Sequence, residues 1–241
     1  MVTIDNEWVM YGTTEDDPYC IHSVKQLSEY INEVGFLPLF SNEIPGLSVE
    51  ERTVADYWWT GSERDPWEWR EIIAKEGNII YGKFFNKKAG FISKEWLPYF
   101  ANVRRDGYDF DSLYEDGKAS RRQKMIMDLF VEEDTKIASF DLKQQAGFGK
   151  GGEKNFEGTL TSLMMQTYLC MRDFTQKKNK KGEYYGWHVA VYSTPEDIYG
   201  YKHVTSCYSE SPSKSKQIII DHINNIYPIA TEKQIEKVLF H

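Results

Sequence analysis

The sequence has few cysteines, no long apolar run and no histidine pattern typical of a metal site. Its three cysteines (Cys20, Cys170 and Cys207) lie far apart and form no CxxC pair, so neither a disulfide framework nor a zinc ribbon is expected. No stretch approaches the ~18 apolar residues of a membrane span, so no membrane contact is predicted. The five histidines show no HExxH spacing, so no metal or cofactor is predicted. A reduced, cytoplasmic protein is expected.

Aromatic residues are unusually abundant. They make up 15% of the 241 residues, with 7 Trp, 16 Tyr and 13 Phe. So much buriable apolar surface excludes wholesale disorder, and the composition also excludes collagen and coiled coil. A chain of this length can bury a core large enough to fold without disulfides or metals.

The charge is unevenly distributed. The total is −8, from 29 Lys and Arg against 37 Asp and Glu, which argues against bulk affinity for nucleic acid. Between Lys118 and Lys181, however, 13 basic residues face 8 acidic ones, a local balance of +5, and the remainder carries −13. Screening over roughly 8–10 Å makes the local field the one that a phosphate at the surface would experience.

The order of predicted elements indicates an α+β fold of tandem winged-helix-like modules with short β-hairpin wings. In the first half, a helix capped by Ser23 ends at Gly35, and a hairpin spans 78–93. In the second half, helices are predicted over 119–131, 139–146 and 159–173, followed by a basic tip and a strand over 184–192. We expect the modules to be residues 1–110 and 111–241, the second with a helical tail.

The basic half supplies the candidate DNA-binding residues. In a winged helix, lysines of the wing contact phosphates while a helix enters the groove. The alternative is a solvated helix face with a charged hairpin tip that discourages edge pairing. The candidates are Arg121, Arg122, Lys124, Lys150, Lys154, Arg172, Lys177, Lys178, Lys180 and Lys181.

Two segments together resemble a known family. The first runs from Ile80 to Phe100 and continues to Arg104-Arg105, and the second runs from Arg121 to Asp197 with a Tyr192…Pro195-Glu196 ending. Both are similar to segments of the AlkZ-type (YcaQ-like) winged-helix DNA glycosylase family, and the chain resembles a remote, AlkZ-related member. The resemblance implies association with DNA and release of alkylated or crosslinked bases.

That family's catalytic motif, Gln-x-Gln or Gln-x-Asp after the first helix, is missing from the corresponding stretch 36–43. The nearest polar substitutes are Asn42 and Glu43, which are therefore candidate catalytic residues. The sequence leaves open whether the protein is an enzyme.

A second pair of candidate catalytic residues lies among tryptophans. Trp58-Trp59 and Trp67-Glu68-Trp69 could form a stacking wall for an extruded base, although packing in the core is the alternative interpretation. Glu68 and Glu71 are candidate general bases, because a carboxylate facing an aromatic pocket can activate water.

Two functional hypotheses follow. In the first, the protein is a DNA-associated relative of the glycosylases that recognises a lesion or excises a base. In the second, it is a non-catalytic interaction module of a cytoplasmic bacterial-type protein, whose acidic N-terminal half contacts a protein partner.

Overall fold

Helices and short antiparallel strands make up the fold that the computed structural model describes over residues 2–4 and 7–241; residues 1, 5 and 6 of the predicted first module lie outside this range. The strands are β1 (Val2–Ile4), β2 (Glu7–Val9), β3 (Phe36–Pro38), β4 (Ile79–Phe85), β5 (Lys88–Ser93), β6 (Ile137–Ala138), β7 (Cys170–Lys178) and β8 (Tyr184–Ser193). The α-helices are α1 (Val24–Val34), α2 (Pro66–Glu76), α3 (Leu97–Arg105), α4 (Phe110–Glu115), α5 (Arg121–Met127), α6 (Ser139–Gln145), α7 (Phe156–Met165), α8 (Pro195–Tyr199), α9 (Tyr201–Val204), α10 (Pro212–Ile226) and α11 (Glu232–Leu239). Short 3₁₀ turns span Glu50–Arg52, Ala55–Tyr57 and Asp128–Phe130.

One antiparallel sheet joins the two halves of the sequence. Its strand order is β3-β5-β4-β7-β8-β6, and β1 pairs with β2 separately. The junction is the pairing of β4 with β7, where Tyr81 lies opposite Met171. Helices and antiparallel strands confirm the predicted α+β class. The winged-helix detail and the boundary at residue 110 stay predictions.

Helix α1 begins and ends where the local sequence predicts. The Ser23 hydroxyl accepts a hydrogen bond from the Gln26 backbone N–H, which satisfies one of the free donors of the first turn. Leu27, Ile31 and Val34 are buried at helical spacing. Gly35 ends the helix with φ of +84°, a conformation that favours glycine.

The predicted helix over 159–173 is wrong in its second half. Helix α7 ends at Met165, and Cys170 begins strand β7. A turn at Thr167, with φ of +64°, separates the two elements, and Arg105 donates a hydrogen bond to the Thr167 hydroxyl at 3.2 Å. Pairing with β8 outweighs the helical pattern, so Cys170 is a fully buried strand residue, and this burial raises the pKa of its thiol.

Many large aromatic side chains are buried in the core or pack against it, as the composition predicts. Phe36 is fully buried there, with its ring centroid 4.9 Å from that of Phe100 in an edge-to-face arrangement. The core draws on residues from both halves of the chain. Within residues 2–4 and 7–241, no helix combines the length and apolar character needed to cross a membrane.

Substitution of Gly35 tests how closely the end of α1 packs against Trp96. A Cβ at this position would lie 2.4 Å from the Trp96 ring, whereas a Cβ at Gly117, with φ of +71°, would meet nothing within 4 Å. Both Gly→Ala changes incur the cost of positive φ, about 1–2 kcal/mol. We expect Gly35→Ala to lower the free energy of unfolding by more than Gly117→Ala, as measured by urea denaturation. Equal decreases would show that the Trp96 contact is not tight.

Candidate active-site cleft

A cleft of about 740 Å³ separates helix α2 from the β7–β8 hairpin. One wall is formed by α2 and the loop before it, and the other by the hairpin. The lining residues are Trp59, Thr60, Gly61, Asp65, Trp67, Glu68, Arg70, Glu71, Gln176, Gly186, Trp187 and His188.

Asp65 organises the first wall. Its carboxylate is fully buried and caps α2 by accepting from the Trp67 N–H at 2.8 Å. It also accepts from the backbone N–H groups of Trp59 at 3.1 Å and Gly61 at 2.9 Å. One carboxylate therefore fixes the loop against the first turn of the helix.

The tryptophans divide between the core and the cleft. Trp58 and Trp69 are buried, as the packing interpretation predicts. Trp59 and Trp67 line the cleft with ring centroids 6.4 Å apart. Trp187, on the opposite wall, is 92% exposed. A cleft with indole rings on both walls can hold a flat ring between them.

Arg70 connects the two walls. Its guanidinium lies 3.8 Å from the Trp67 ring centroid on one side and 4.4 Å from that of Phe174 in β7 on the other. It donates to Glu71 Oε1 at 3.0 Å, and the residue is only 5% exposed. Its Nε is buried without a hydrogen-bond partner among the residues that the structure describes.

The cleft brings together two carboxylates and an imidazole. Glu68 and Glu71 lie three residues apart on α2, and His188 reaches them from β8. The Glu71 Oε2 atom is 2.6 Å from His188 Nδ1, and one ligand atom from each of the three residues lies within 4.8 Å of the others. Such a group can hold a proton, a water molecule or a metal ion.

Sequence reasoning assigned no functional role to His188. Its neighbours Trp187 and Val189 indicate only that it lies in a strand. Glu71 is 117 positions away, so no local sequence motif contains both residues. Only the pairing of the hairpin with the rest of the sheet brings it to α2.

The other two candidate catalytic residues lie in a different place. Asn42 and Glu43 line a separate depression with Tyr11 and Lys88. The Asn42 amide donates to the Leu47 carbonyl at 2.7 Å and accepts from the Ile44 N–H at 2.9 Å. Its polar atoms therefore stabilise their own loop.

Glu43 of that depression forms an ion pair with Lys237. The hydrogen bond from Lys237 lowers the pKa of the Glu43 carboxyl. The structure thus divides the four candidates into one pair in the cleft and another pair in the depression.

The predicted DNA-binding residues differ in what they contact. Lys177, Lys178, Lys180 and Lys181 are exposed at the end of the hairpin, with Lys178 Nζ 4.7 Å from the Tyr184 ring centroid. Lys150 and Lys154 are also exposed. These six side chains are accessible to a phosphate.

Three further predicted contacts are engaged in ion pairs within the protein. Arg121 and Arg122 form ion pairs with Glu153 at 3.3 and 2.8 Å, and Lys124 forms one with Asp111 at 3.2 Å. Surface ion pairs of this kind are weak and can exchange for a phosphate.

Arg172 is held differently. Its guanidinium donates to the Ala74 carbonyl at 2.8 Å and to the Lys75 carbonyl at 2.5 Å. These are carbonyls of the last turn of α2, where a cation is favoured. Arg172 therefore ties β7 to the end of α2.

Comparison with known proteins gives one family and one structural similarity. A family model described as AlkZ related matches residues 21–240. No curated protein matches the sequence. Among solved structures, the chain is similar to Streptomyces sahachiroi DNA glycosylase AlkZ, with a TM-score of 0.46 and 9% identity. The match covers 92% of this chain and 60% of that one, so the chain spans less than two thirds of that protein.

The role of Arg172 can be separated from that of its exposed neighbours. Arg172→Met removes charged hydrogen bonds to the end of α2 and should lower the free energy of unfolding by about 1.5–3 kcal/mol. Lys177→Met, on the same strand, should change it by less than about 0.5 kcal/mol. Urea denaturation measures both. If the two variants unfold alike, Arg172 does not hold α2 to the hairpin.

Proposed function

The chain belongs to the AlkZ-related family, and on that basis we propose that it binds DNA and receives a nucleobase in the cleft between α2 and the β7–β8 hairpin. The observation that supports this most directly is the combination of indole rings on both walls with two carboxylates on one wall. Stacking on an aromatic side chain contributes about 1–3 kcal/mol per base, which offsets the cost of extruding it from a duplex.

The β7–β8 hairpin is the element proposed to bind the phosphate backbone. Its four exposed lysines (Lys177, Lys178, Lys180 and Lys181) lie within five positions, on the same hairpin as Trp187 and His188. A duplex that contacts this tip is therefore adjacent to the mouth of the cleft. The proposed contact extends to the exposed Lys150 and Lys154. It also includes three residues whose surface ion pairs can exchange for a phosphate: Arg121, Arg122 and Lys124.

The proposed chemistry is hydrolysis of the bond between the base and its sugar. Glu71, or Glu68 beside it, takes a proton from water as the water oxygen bonds to the sugar carbon and the base leaves with the bonding electrons. Arg70 and His188 orient both oxygens of Glu71, and each oxygen keeps a lone pair that can accept from water. Asn42 and Glu43 are the alternative pair, but the described residues that line their depression include no indole ring, which argues for the cleft.

The lysine tip makes DNA binding testable by salt dependence. Replacing Lys177, Lys178, Lys180 and Lys181 with Ala should weaken binding to a duplex. It should also lower the slope of log K against log[salt] by about 0.9 for each phosphate that these lysines neutralise. Fluorescence anisotropy at several salt concentrations measures both effects.

A control with the same change of charge uses Lys25, Lys202, Lys214 and Lys233, which are exposed elsewhere on the surface. Replacing these four with Ala should leave the slope unchanged. Equal weakening by both sets would mean that only net charge matters and that the hairpin is not the site of binding.

Base excision is tested with a duplex that carries a single alkylated purine. Loss of a general base typically lowers the rate by 10²–10⁴-fold, so Glu71→Gln should slow base release within this range, as measured by chromatography of the freed base. Glu68→Gln is the second variant, because Glu71 also neutralises the buried Arg70. Asn42→Ala and Glu43→Gln should retain activity.

Two outcomes would contradict the catalytic proposal. Loss of activity in Asn42→Ala with full activity in Glu71→Gln would move the chemistry to the depression. Binding of the alkylated duplex without base release would leave lesion recognition as the function of the cleft.

A further inference from the structure

The two carboxylates and the imidazole in the cleft form a set of ligand atoms that the proposed function does not fully use. Glu68 and Glu71 lie on the same face of α2, because side chains three positions apart in a helix are neighbours. His188 completes the group from the hairpin, and the three ligand atoms lie within 4.8 Å of one another. A helix and a strand therefore present three ligands to one point.

The surroundings of this group resemble those of a metal ligand set. Arg70 donates to Glu71 Oε1 and leaves Oε2 directed at His188, and hydrogen bonds of this kind orient the ligands of metal sites. The Glu71 side chain is only 13% exposed, so an ion here would be partly shielded from water.

A second observation concerns an unpaired hydrogen-bond donor in the cleft. Arg70 Nε is buried and has no acceptor among the described residues. Arg70 pairs with Glu71 through Nη2, but a buried N–H without an acceptor is costly. An acceptor bound beside Glu71, such as a water molecule held by a cation, would satisfy it.

We propose that Glu68, Glu71 and His188 bind one divalent first-row transition-metal ion, with Zn²⁺ as the ion to test. The imidazole favours such an ion over Mg²⁺ or Ca²⁺, which prefer oxygen ligands. Three protein ligands leave a position open toward the aromatic walls, as in catalytic zinc sites. Ligand distances of about 2.0–2.2 Å in tetrahedral geometry place ligand atoms about 3.4 Å apart. Glu71 Oε2 and His188 Nδ1, which are hydrogen bonded at 2.6 Å, must therefore separate, and the Glu68 side chain must rotate toward them. The half-buried position of Glu68 permits this rotation.

An ion bound here would occupy the carboxylates proposed as general bases, so metal binding is measured without DNA and base release is measured with chelator present. The full chain is stripped with a chelator, dialysed, and titrated with Zn²⁺ by calorimetry and with Co²⁺ by visible absorption. We expect one ion per chain, with the absorption of cobalt bound to nitrogen and oxygen and no thiolate charge-transfer band. His188→Ala and Glu68→Gln should each weaken binding by at least about tenfold.

His22→Ala is the matched control, because His22 Nδ1 lies 3.9 Å from the Cys20 sulfur and the two form another potential ligand pair. This variant should bind the ion as tightly as the unchanged protein. The His188 side chain is 46% exposed, so His188→Ala should remain folded, which circular dichroism checks.

Absence of binding at micromolar protein, or equal affinity in His188→Ala and the unchanged protein, would overturn the proposal. A thiolate band that disappears in His22→Ala would place the ion at Cys20 and overturn it as well. DNA binding measured in the presence of chelator remains a separate result, so failure of the metal site and failure of the proposed function are distinguishable.

Discussion

The guanidinium of Arg70, packed between the rings of Trp67 and Phe174, holds helix α2 against the β7–β8 hairpin. A buried cation is tolerated only where its charge is compensated. Here two aromatic faces and the Glu71 carboxylate provide that compensation. The same contacts fix Trp67 and Glu71. Arg70 therefore joins the two walls of the cleft and also positions two of its lining side chains. Arg172 supports this arrangement about one helical turn further along.

The position of the hairpin also reconciles an acidic protein with a proposed nucleic-acid partner. Four exposed lysines lie together at the tip of the β7–β8 hairpin, while most carboxylates belong to the rest of the chain. Screening limits the reach of the total charge to about a Debye length, so the tip dominates the field near a phosphate. The rings and carboxylates beside the hairpin are then within reach of a base extruded nearby.

Local patterns predicted much of the fold and part of the candidate site. The cap at Ser23, the glycine at 35 and the strand that became β8 are decided by neighbouring residues, and the structure contains all three. Helix α2 begins at its Asp-Pro pair, and it buries Trp69 and Ile73 while Ile72 is 44% exposed.

The failures of prediction lie where distant segments meet. The predicted helix over 159–173 includes residues 170–173, whereas pairing of β7 with β4 and β8 makes them a strand. The role of Arg172 and the contact of His188 with Glu71 depend on the same pairing. A single sequence carries no signal for it, so both residues could be placed only in the folded chain.

The central claim, that a nucleobase enters the cleft between α2 and the hairpin, can be tested by photochemical crosslinking. A duplex with one mispaired 5-iodouracil is irradiated with the full protein, and the modified peptide is identified by mass spectrometry. The proposal predicts a crosslink to Trp59, Trp67 or Trp187, the indole rings of the cleft. A crosslink to Tyr11, beside Asn42 and Glu43 in the separate depression, with none in the cleft, would contradict it.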